Sequence, residues 1–77
     1  MSVHAYILIQ TEVGKASSVA TAIRSIPGVS LAEGVTGHYD VIMRAEAPSM
    51  EEFGHTILTK VQAVPGITRT LTCPVTN

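Results

Sequence analysis

Apolar residues recur at intervals of three and four along two stretches of the chain. The members of the first stretch are Ala16, Val19, Ala20, Ile23 and Ile26, and those of the second are Met50, Phe53, Ile57, Val61 and Val64. Residues at this spacing fall on one side of an α-helix. The pattern therefore predicts two amphipathic helices, each packing one apolar stripe against a core.

Both helical patterns end in the same way. Pro27-Gly28 follows the first and Pro65-Gly66 follows the second, and a β-branched residue comes directly after each pair. Proline cannot continue a helix, and glycine readily takes the positive φ of a turn. The segments around the two pairs, residues 23–30 and 61–68, lie 38 positions apart (Pro27 to Pro65), so one helix-turn-strand unit is predicted to occur twice.

The second helix also has a recognisable beginning. Ser49 is suited to cap it, and Glu52, three residues later, completes a capping box. Gly54 lies inside this helix, where glycine weakens the helix relative to alanine. It marks either a close contact with another backbone or a residue that the helix merely tolerates.

Four runs rich in β-branched and other large apolar residues surround the helices. They predict strands over roughly residues 4–11, 29–36, 39–47 and 67–75. The element order is then β-α-β-β-α-β, which right-handed crossovers close into a four-stranded antiparallel sheet with two helices on one face. The expected fold is an α+β, ferredoxin-like βαββαβ sandwich formed by a single domain, residues 1–77.

The face of the sheet away from the helices is predicted to be apolar too. Tyr6 and Leu8 alternate with the core-facing residues of the first strand, and Ile42 extends their face on the third. An antiparallel sheet with one face in water is normally polar on that face. We therefore expect a second subunit to cover it, giving a dimeric α/β plait with Tyr6, Leu8 and Ile42 in the interface.

Composition narrows the possible functions. Hydrophobic residues make up 45% of the 77-residue chain, charged residues make up 14%, and the formal net charge is −1. The five basic residues are scattered singly, which argues against direct nucleic-acid binding. The single cysteine, Cys73, excludes an intrachain disulfide and fits a reducing compartment. With no signal-peptide pattern and no long apolar run, we expect a cytoplasmic protein that does not enter membranes.

The segment Gly37-His38-Tyr39-Asp40 is the first candidate for chemistry. Its residue types suit an ordinary turn between two strands. They also suit a recognition loop, in which backbone N–H groups near the glycine hold a carboxylate while Asp40 holds an ammonium group. Such a loop would fit the zwitterion of an amino acid, with the Tyr39 ring as a wall.

Other polar residues carry weaker signals. Thr68, Thr70 and Thr72 recur at a period of two, which predicts hydroxyls on one face of the last strand, although threonine is also a common strand residue. No His/Cys cluster has metal-ligand spacing, so no metal site is expected. His38 and Asp40 could form an acid–base pair, but no nucleophile accompanies them, and no catalytic residue or cofactor motif is identified.

The repeated helix-Pro-Gly-strand unit, the loop over residues 37–41 and the closing strand over residues 66–72 together resemble the RAM domain. This is the effector domain of the Lrp/AsnC, or feast/famine, family of transcription regulators. The resemblance covers nearly the whole chain. It implies a non-enzymatic module that dimerises through its sheet, assembles into octamers or decamers, and binds free amino acids or similar effectors between dimers.

Carried over by position, the resemblance implies a site at Gly37, Tyr39 and Asp40, with His38 at the variable place and help from Thr70 and Thr72. The chain shows no helix-turn-helix segment, so we expect it to sense amino acids and to affect transcription by co-assembly with full-length Lrp/AsnC regulators. Two alternatives stay open. One is a small dimeric αβ-barrel enzyme of the cofactor-independent monooxygenase type, and the other is a purely structural assembly partner. An ACT domain shares the element order but usually pairs its sheets edge to edge.

Overall fold

The computed structural model describes residues 2–76 and contains the expected βαββαβ order. The strands are β1 (Val3–Thr11), β2 (Val29–Gly34), β3 (Val41–Ala47) and β4 (Ile67–Pro74), and the first helix is α1 (Ala16–Arg24). The second helix, α2, is continuous through three segments, Met50–Glu52, Phe53–Leu58 and Thr59–Gln62. The predicted ferredoxin-like α+β fold is confirmed.

The four strands form one antiparallel sheet in the order β2-β3-β1-β4. The two central strands, β1 and β3, are the ones that precede the helices. In register, Leu8 lies opposite Ile42 on β3 and opposite Leu71 on β4. Directly paired residues share a face, so these three side chains form a row across the sheet.

The core lies between the helices and one face of the sheet. On β1 its members are Ala5, Ile7 and Ile9, each fully buried, and Phe53 is the largest side chain buried beneath α2. Each large apolar side chain buried in this way contributes about 1.5–3 kcal/mol. Among the described residues no polar or charged side chain is buried with them.

The two Pro-Gly turns have nearly the same geometry, which confirms the repeat. Gly28 has φ +97° and Gly66 has φ +96°. The carbonyl oxygen of Gly28 accepts the N–H of Glu46 at 2.9 Å, and that of Gly66 accepts the N–H of Glu12 at 2.8 Å. Each turn therefore ties the end of its helix to the end of a neighbouring strand.

Helix α2 departs from the regular helix that the apolar pattern predicts. The Ser49 hydroxyl accepts the N–H of Glu52 at 3.2 Å, as expected of a cap. The segment Phe53–Leu58 is π-helical, and the N–H of Thr59 donates to the carbonyl of Gly54, five residues earlier. Met50, expected in the apolar stripe, is 44% exposed because it lies in the first turn, above the edge of the core.

Gly54 makes no close contact within the chain. An added Cβ at this position would meet nothing within 4 Å. Within the described residues, the second interpretation of Gly54 is therefore favoured: the helix tolerates it, and its carbonyl serves the π-helical turn.

Two strand limits predicted from the sequence are wrong. Strand β2 ends at Gly34 rather than near residue 36, and β3 begins at Val41 rather than near residue 39. The intervening residues form a loop, closed by a hydrogen bond from the N–H of Val35 to the carbonyl of Asp40 at 2.9 Å. That bond and the φ of +125° at Gly37 turn the chain, so β2 and β3 form no ladder pair beyond Gly34 and Val41.

Candidate functional site

The loop over residues 35–40 is attached to the end of β1. The N–H of Asp40 donates to the carbonyl of Ile9 at 2.8 Å. Gly37 and His38 are exposed at the tip of the loop, whereas Tyr39 and Asp40 are half-buried. The loop therefore presents its glycine and its histidine to solvent from a base that is fixed to the sheet.

The carboxylate of Asp40 forms a second attachment. The last ladder pair between β1 and β3 joins Ile9 to Val41, so Thr11 lies beyond the ladder. Oδ2 of Asp40 accepts the backbone N–H of Thr11 at 2.8 Å and lies 3.4 Å from its hydroxyl. The side chain thus takes the place that a strand carbonyl would occupy, and it satisfies a part-buried donor.

Gln10 provides a third attachment. Its side-chain Nε2 donates to the carbonyl of His38 at 2.8 Å, in an exposed hydrogen bond. Sequence reasoning missed both Gln10 and Thr11 as parts of this site. Each lies 28 or 29 residues before its partner, and nothing in the local pattern around Gln10 and Thr11 indicates the pairing.

These contacts change what Asp40 can do for a ligand. One carboxylate oxygen is occupied by Thr11, which leaves Oδ1 as the oxygen that can receive an ammonium group. No cationic side chain of residues 2–76 lies within ion-pairing distance of Asp40. The loop therefore carries an uncompensated negative charge beside the exposed backbone of Gly37 and His38.

The threonines lie on the opposite side of β1 from this loop. Thr70 is paired with Ile9 and Thr72 with Ile7, so both side chains point towards the helices, where they are half-buried. Thr68 is the extra residue at a register shift and has no partner on β1, so the expected row of three contains only two members in register.

One strand separates the two halves of the predicted site. Val41, next to the loop, and Thr70 are both paired with Ile9, from opposite sides. Two strand spacings correspond to roughly 9–10 Å. Within a single chain, β1 therefore lies between the loop and the threonines.

Two surface concavities among the described residues lie elsewhere. One, of about 430 Å³, lies between the start of α1 and the end of α2, and its lining is Glu12, Lys15, Ser18, Ala22, Val64, Pro65 and Gly66. Another, of about 350 Å³, follows β2 and is lined by Arg24, Val29, Ser30, Leu31, Ala32 and Glu33. Neither contains a residue of the predicted ligand site.

The helix-free face of the sheet, defined here by Tyr6, Leu8, Leu31, Ile42 and Leu71, is apolar at its centre, and the register places the charged Glu33 and Arg69 towards its edges. Leu71 is 45% exposed, Tyr6 is 40% exposed and Leu31 is 37% exposed. The half-buried Leu8 and Ile42 continue the surface between them. Leu31 and Leu71 were not singled out from the sequence, although strand alternation places Leu71 on this face.

A polar cluster occupies one end of the helix-free face. The guanidinium of Arg44 lies 5.7 Å from the centre of the Tyr6 ring and donates to Nδ1 of His4 at 3.1 Å. Nε2 of His4 lies 3.8 Å from a carboxylate oxygen of Glu46. These contacts hold the Arg44 guanidinium beside the Tyr6 ring on this face.

Residues 2–76 contain neither a cluster of metal-ligating side chains nor a membrane-spanning helix. No group of three or more His, Cys, Asp or Glu side chains gathers where a metal ion could bind. No helix there is long and apolar enough to span a bilayer.

Comparison with known proteins places this arrangement in context. The family model described as the Lrp/AsnC ligand binding domain matches residues 4–77. An uncharacterised HTH-type transcriptional regulator from Pyrococcus furiosus is 33% identical over 54 residues, which are 70% of this chain but only 36% of that protein. The chain thus spans about a third of this curated relative.

Solved structures are also similar to this chain. A hypothetical protein from Pyrococcus horikoshii has a TM-score of 0.88 at 31% identity, covering 97% of this chain and 90% of its own. AsnC from E. coli has the same TM-score at 25% identity, and the match covers 97% of this chain and 51% of AsnC. The similarity therefore extends over nearly the whole of this chain and about half of a longer regulator.

Proposed function

The chain belongs to the family of Lrp/AsnC ligand-binding domains, and on this premise we propose that it binds a free amino acid at the loop Gly37–Asp40. The observation that carries the proposal is the attachment of this loop to β1. Because Asp40 is fixed by Thr11 through Oδ2, its second oxygen has a defined position. A carboxylate held in advance receives an ammonium group without the entropy loss of ordering a mobile loop.

The remaining part of an amino acid fits the tip of the loop. Gly37, with φ +125°, lies where successive backbone N–H groups can turn towards one point. Such a concavity receives carboxylates and other anions. Tyr39, half-buried beside Asp40, offers a ring that can pack against the ligand side chain. His38 is exposed at the tip and is the loop residue free to contact a variable ligand group.

Assembly completes the proposed site. The helix-free face packs against the same face of a second copy, with Tyr6, Leu8 and Ile42 in the interface. Since β1 separates the loop from Thr70 and Thr72 within one chain, a pocket that uses both must form where copies meet. Rings of dimers, octameric or decameric, would supply such junctions.

We propose that the module acts on transcription through longer relatives. The curated relative is named as a helix-turn-helix regulator, and this chain matches about a third of it. The helix-free face can pair with the equivalent face of a full-length Lrp/AsnC regulator as well as with its own. Amino-acid binding at the shared junction would then change the assembly of that regulator.

Thermal unfolding with a panel of the standard amino acids tests the proposal. A ligand at about one hundred times its Kd adds about 2.7 kcal/mol, which raises the melting temperature of a small domain by roughly 10 °C or more. Asp40→Asn keeps an oxygen for Thr11 but removes the charge, so we expect it to weaken binding by about tenfold or more. Glu51→Gln makes the same charge change at an exposed site in the first turn of α2, on the side of the sheet away from the proposed interface, and is the matched control.

The two outcomes are distinct. A shift with one or a few amino acids, lost in Asp40→Asn and kept in Glu51→Gln, supports the site. Absence of any shift across the panel contradicts amino-acid binding, and it favours the purely structural partner instead.

The enzyme alternative has no support from the core. It requires a polar-lined cavity between the sheet and the helices of one subunit. The side chains buried there among residues 2–76 are all hydrophobic. The regulatory function is therefore better supported than the enzyme alternative.

A further inference from the structure

Gln10 connects the helix-free face of the sheet with the loop over residues 35–40. In the register of the sheet it lies opposite Arg69 and two residues after Leu8, so its side chain emerges on the helix-free face. Its Nε2 nevertheless donates to the carbonyl of His38, at the tip of the loop over residues 35–40, which we call the effector loop. One half-buried side chain thus touches both the surface proposed for dimerisation and the loop proposed for ligand binding.

The attachments of the loop differ in their access to water. The hydrogen bonds from Thr11 to Asp40 are part-buried. The bond from Gln10 to His38 is exposed. Water competes with an exposed bond for both partners, so the bond contributes little in the free chain. Covering the helix-free face with a second sheet would remove that competition, and the same bond would become stronger.

From this contrast we propose that Gln10 is a positioning residue that makes the order of the effector loop depend on dimerisation. The inference rests on the proposed effector loop and the proposed sheet-to-sheet dimer. In the monomer, Asp40 alone holds the base of the loop, and the tip is loosely held. In the dimer, Gln10 also fixes the His38 carbonyl. By thermodynamic reciprocity, a ligand that orders the tip also strengthens the dimer.

The test compares the effect of a Gln10 substitution on amide hydrogen exchange of the full chain in the dimer and in the monomer. Gln10→Met removes the donor while keeping length and neutrality, and it leaves the helix-free face apolar. Gln62→Met makes the same change at an exposed position near the end of α2 and is the matched control. Leu71→Lys, at a residue that is already 45% exposed, places a charge in the helix-free face and gives a monomer. Leu31→Lys gives a second, independent monomer.

The amides of Tyr39 and Asp40 report on the loop, since they directly follow the His38 carbonyl that Gln10 holds, and the Asp40 amide is hydrogen-bonded to Ile9. The amide of Val75, bonded to the carbonyl of His4 at the far end of β1, is the internal reference. In the dimer, Gln10→Met should speed loop exchange by roughly two- to tenfold, the effect of losing one desolvated hydrogen bond. In either monomer the effect should fall below about twofold. Gln62→Met and the Val75 amide should show no change.

Equal effects of Gln10→Met in dimer and monomer would overturn the coupling, and so would the absence of an effect in the dimer. Sedimentation of the wild type separates this failure from failure of the proposed function. A monomeric wild type removes the proposed dimer and the coupling together. A dimer with the expected exchange pattern but no amino-acid response leaves the coupling standing and removes only the proposed ligand.

Discussion

The two Pro-Gly turns permit a comparison within one molecule. Gly28→Ala and Gly66→Ala place a Cβ at nearly the same φ, +97° and +96°, so both incur the strain of a left-handed backbone, about 1–2 kcal/mol. At Gly28 the Cβ also lies 2.9 Å from the carbonyl oxygen of Glu46. That oxygen is part of the β3 backbone and cannot move freely, so overpacking adds about 1–3 kcal/mol. At Gly66 the nearest atoms are Cβ and Cγ of Lys15, 3.1 Å and 3.3 Å away, so this contact is wider than the one at Gly28 and needs a shift of only a few tenths of an ångström.

We therefore expect Gly28→Ala to destabilise the protein by about 2–5 kcal/mol and Gly66→Ala by about 1–2 kcal/mol. Gly37→Ala, with φ +125° and nothing within 4 Å of the added Cβ, is a variant whose loss comes from backbone strain without a steric contact. The assay is denaturant unfolding of all three variants at one fixed protein concentration, because self-association would shift apparent stability. Equal losses at Gly28 and Gly66 would refute the steric argument, since their backbones match.

Four further outcomes are expected. Ser49→Ala should lower stability by about 0.5–2 kcal/mol through loss of the helix cap, and thermal melting that is unchanged would contradict this. Phe53→Ala should lower it by about 3–5 kcal/mol, because the side chain is fully buried; a loss below about 1 kcal/mol would show that the core collapses around the gap. Asp40→Ala, unlike Asp40→Asn, should expose the Thr11 amide to exchange at least several-fold faster, as seen by NMR; equal protection in both variants would contradict the carboxylate attachment. Leu71→Lys should shift a sheet-to-sheet dimer to monomer in sedimentation, and an unchanged oligomer would place the interface elsewhere.

The fold was predictable because its signals are local. The apolar stripes of the helices, the Pro-Gly turns and the Ser49 cap each act within a few residues, and the resulting order allows few topologies. The π-helical turn was not predictable, because apolar residues spaced by four, such as Phe53 and Ile57, suit i→i+4 and i→i+5 bonding alike. In the structure the π-helical turn is defined by the i→i+5 bond from the N–H of Thr59 to the carbonyl of Gly54.

The candidate site was predictable in its residue types but not in its supports. Gly37 and Asp40 carry turn and charge chemistry that a sequence shows directly. The part played by Gln10 and Thr11 depends on where β1 ends relative to β3, and that register is set by packing of the whole sheet. The same register puts Thr70 and Thr72 on the far side of β1, which is why the predicted ligand residues do not meet within one chain.

Native mass spectrometry with and without amino acids is the most direct test of effector binding between copies of the chain. Subunit count and bound mass are read from one spectrum, in multiples of the 8.1 kDa chain. We predict even-numbered assemblies that carry amino-acid mass, with both assembly and bound mass reduced in Leu71→Lys. A bare monomer at every protein and amino-acid concentration would contradict the proposal.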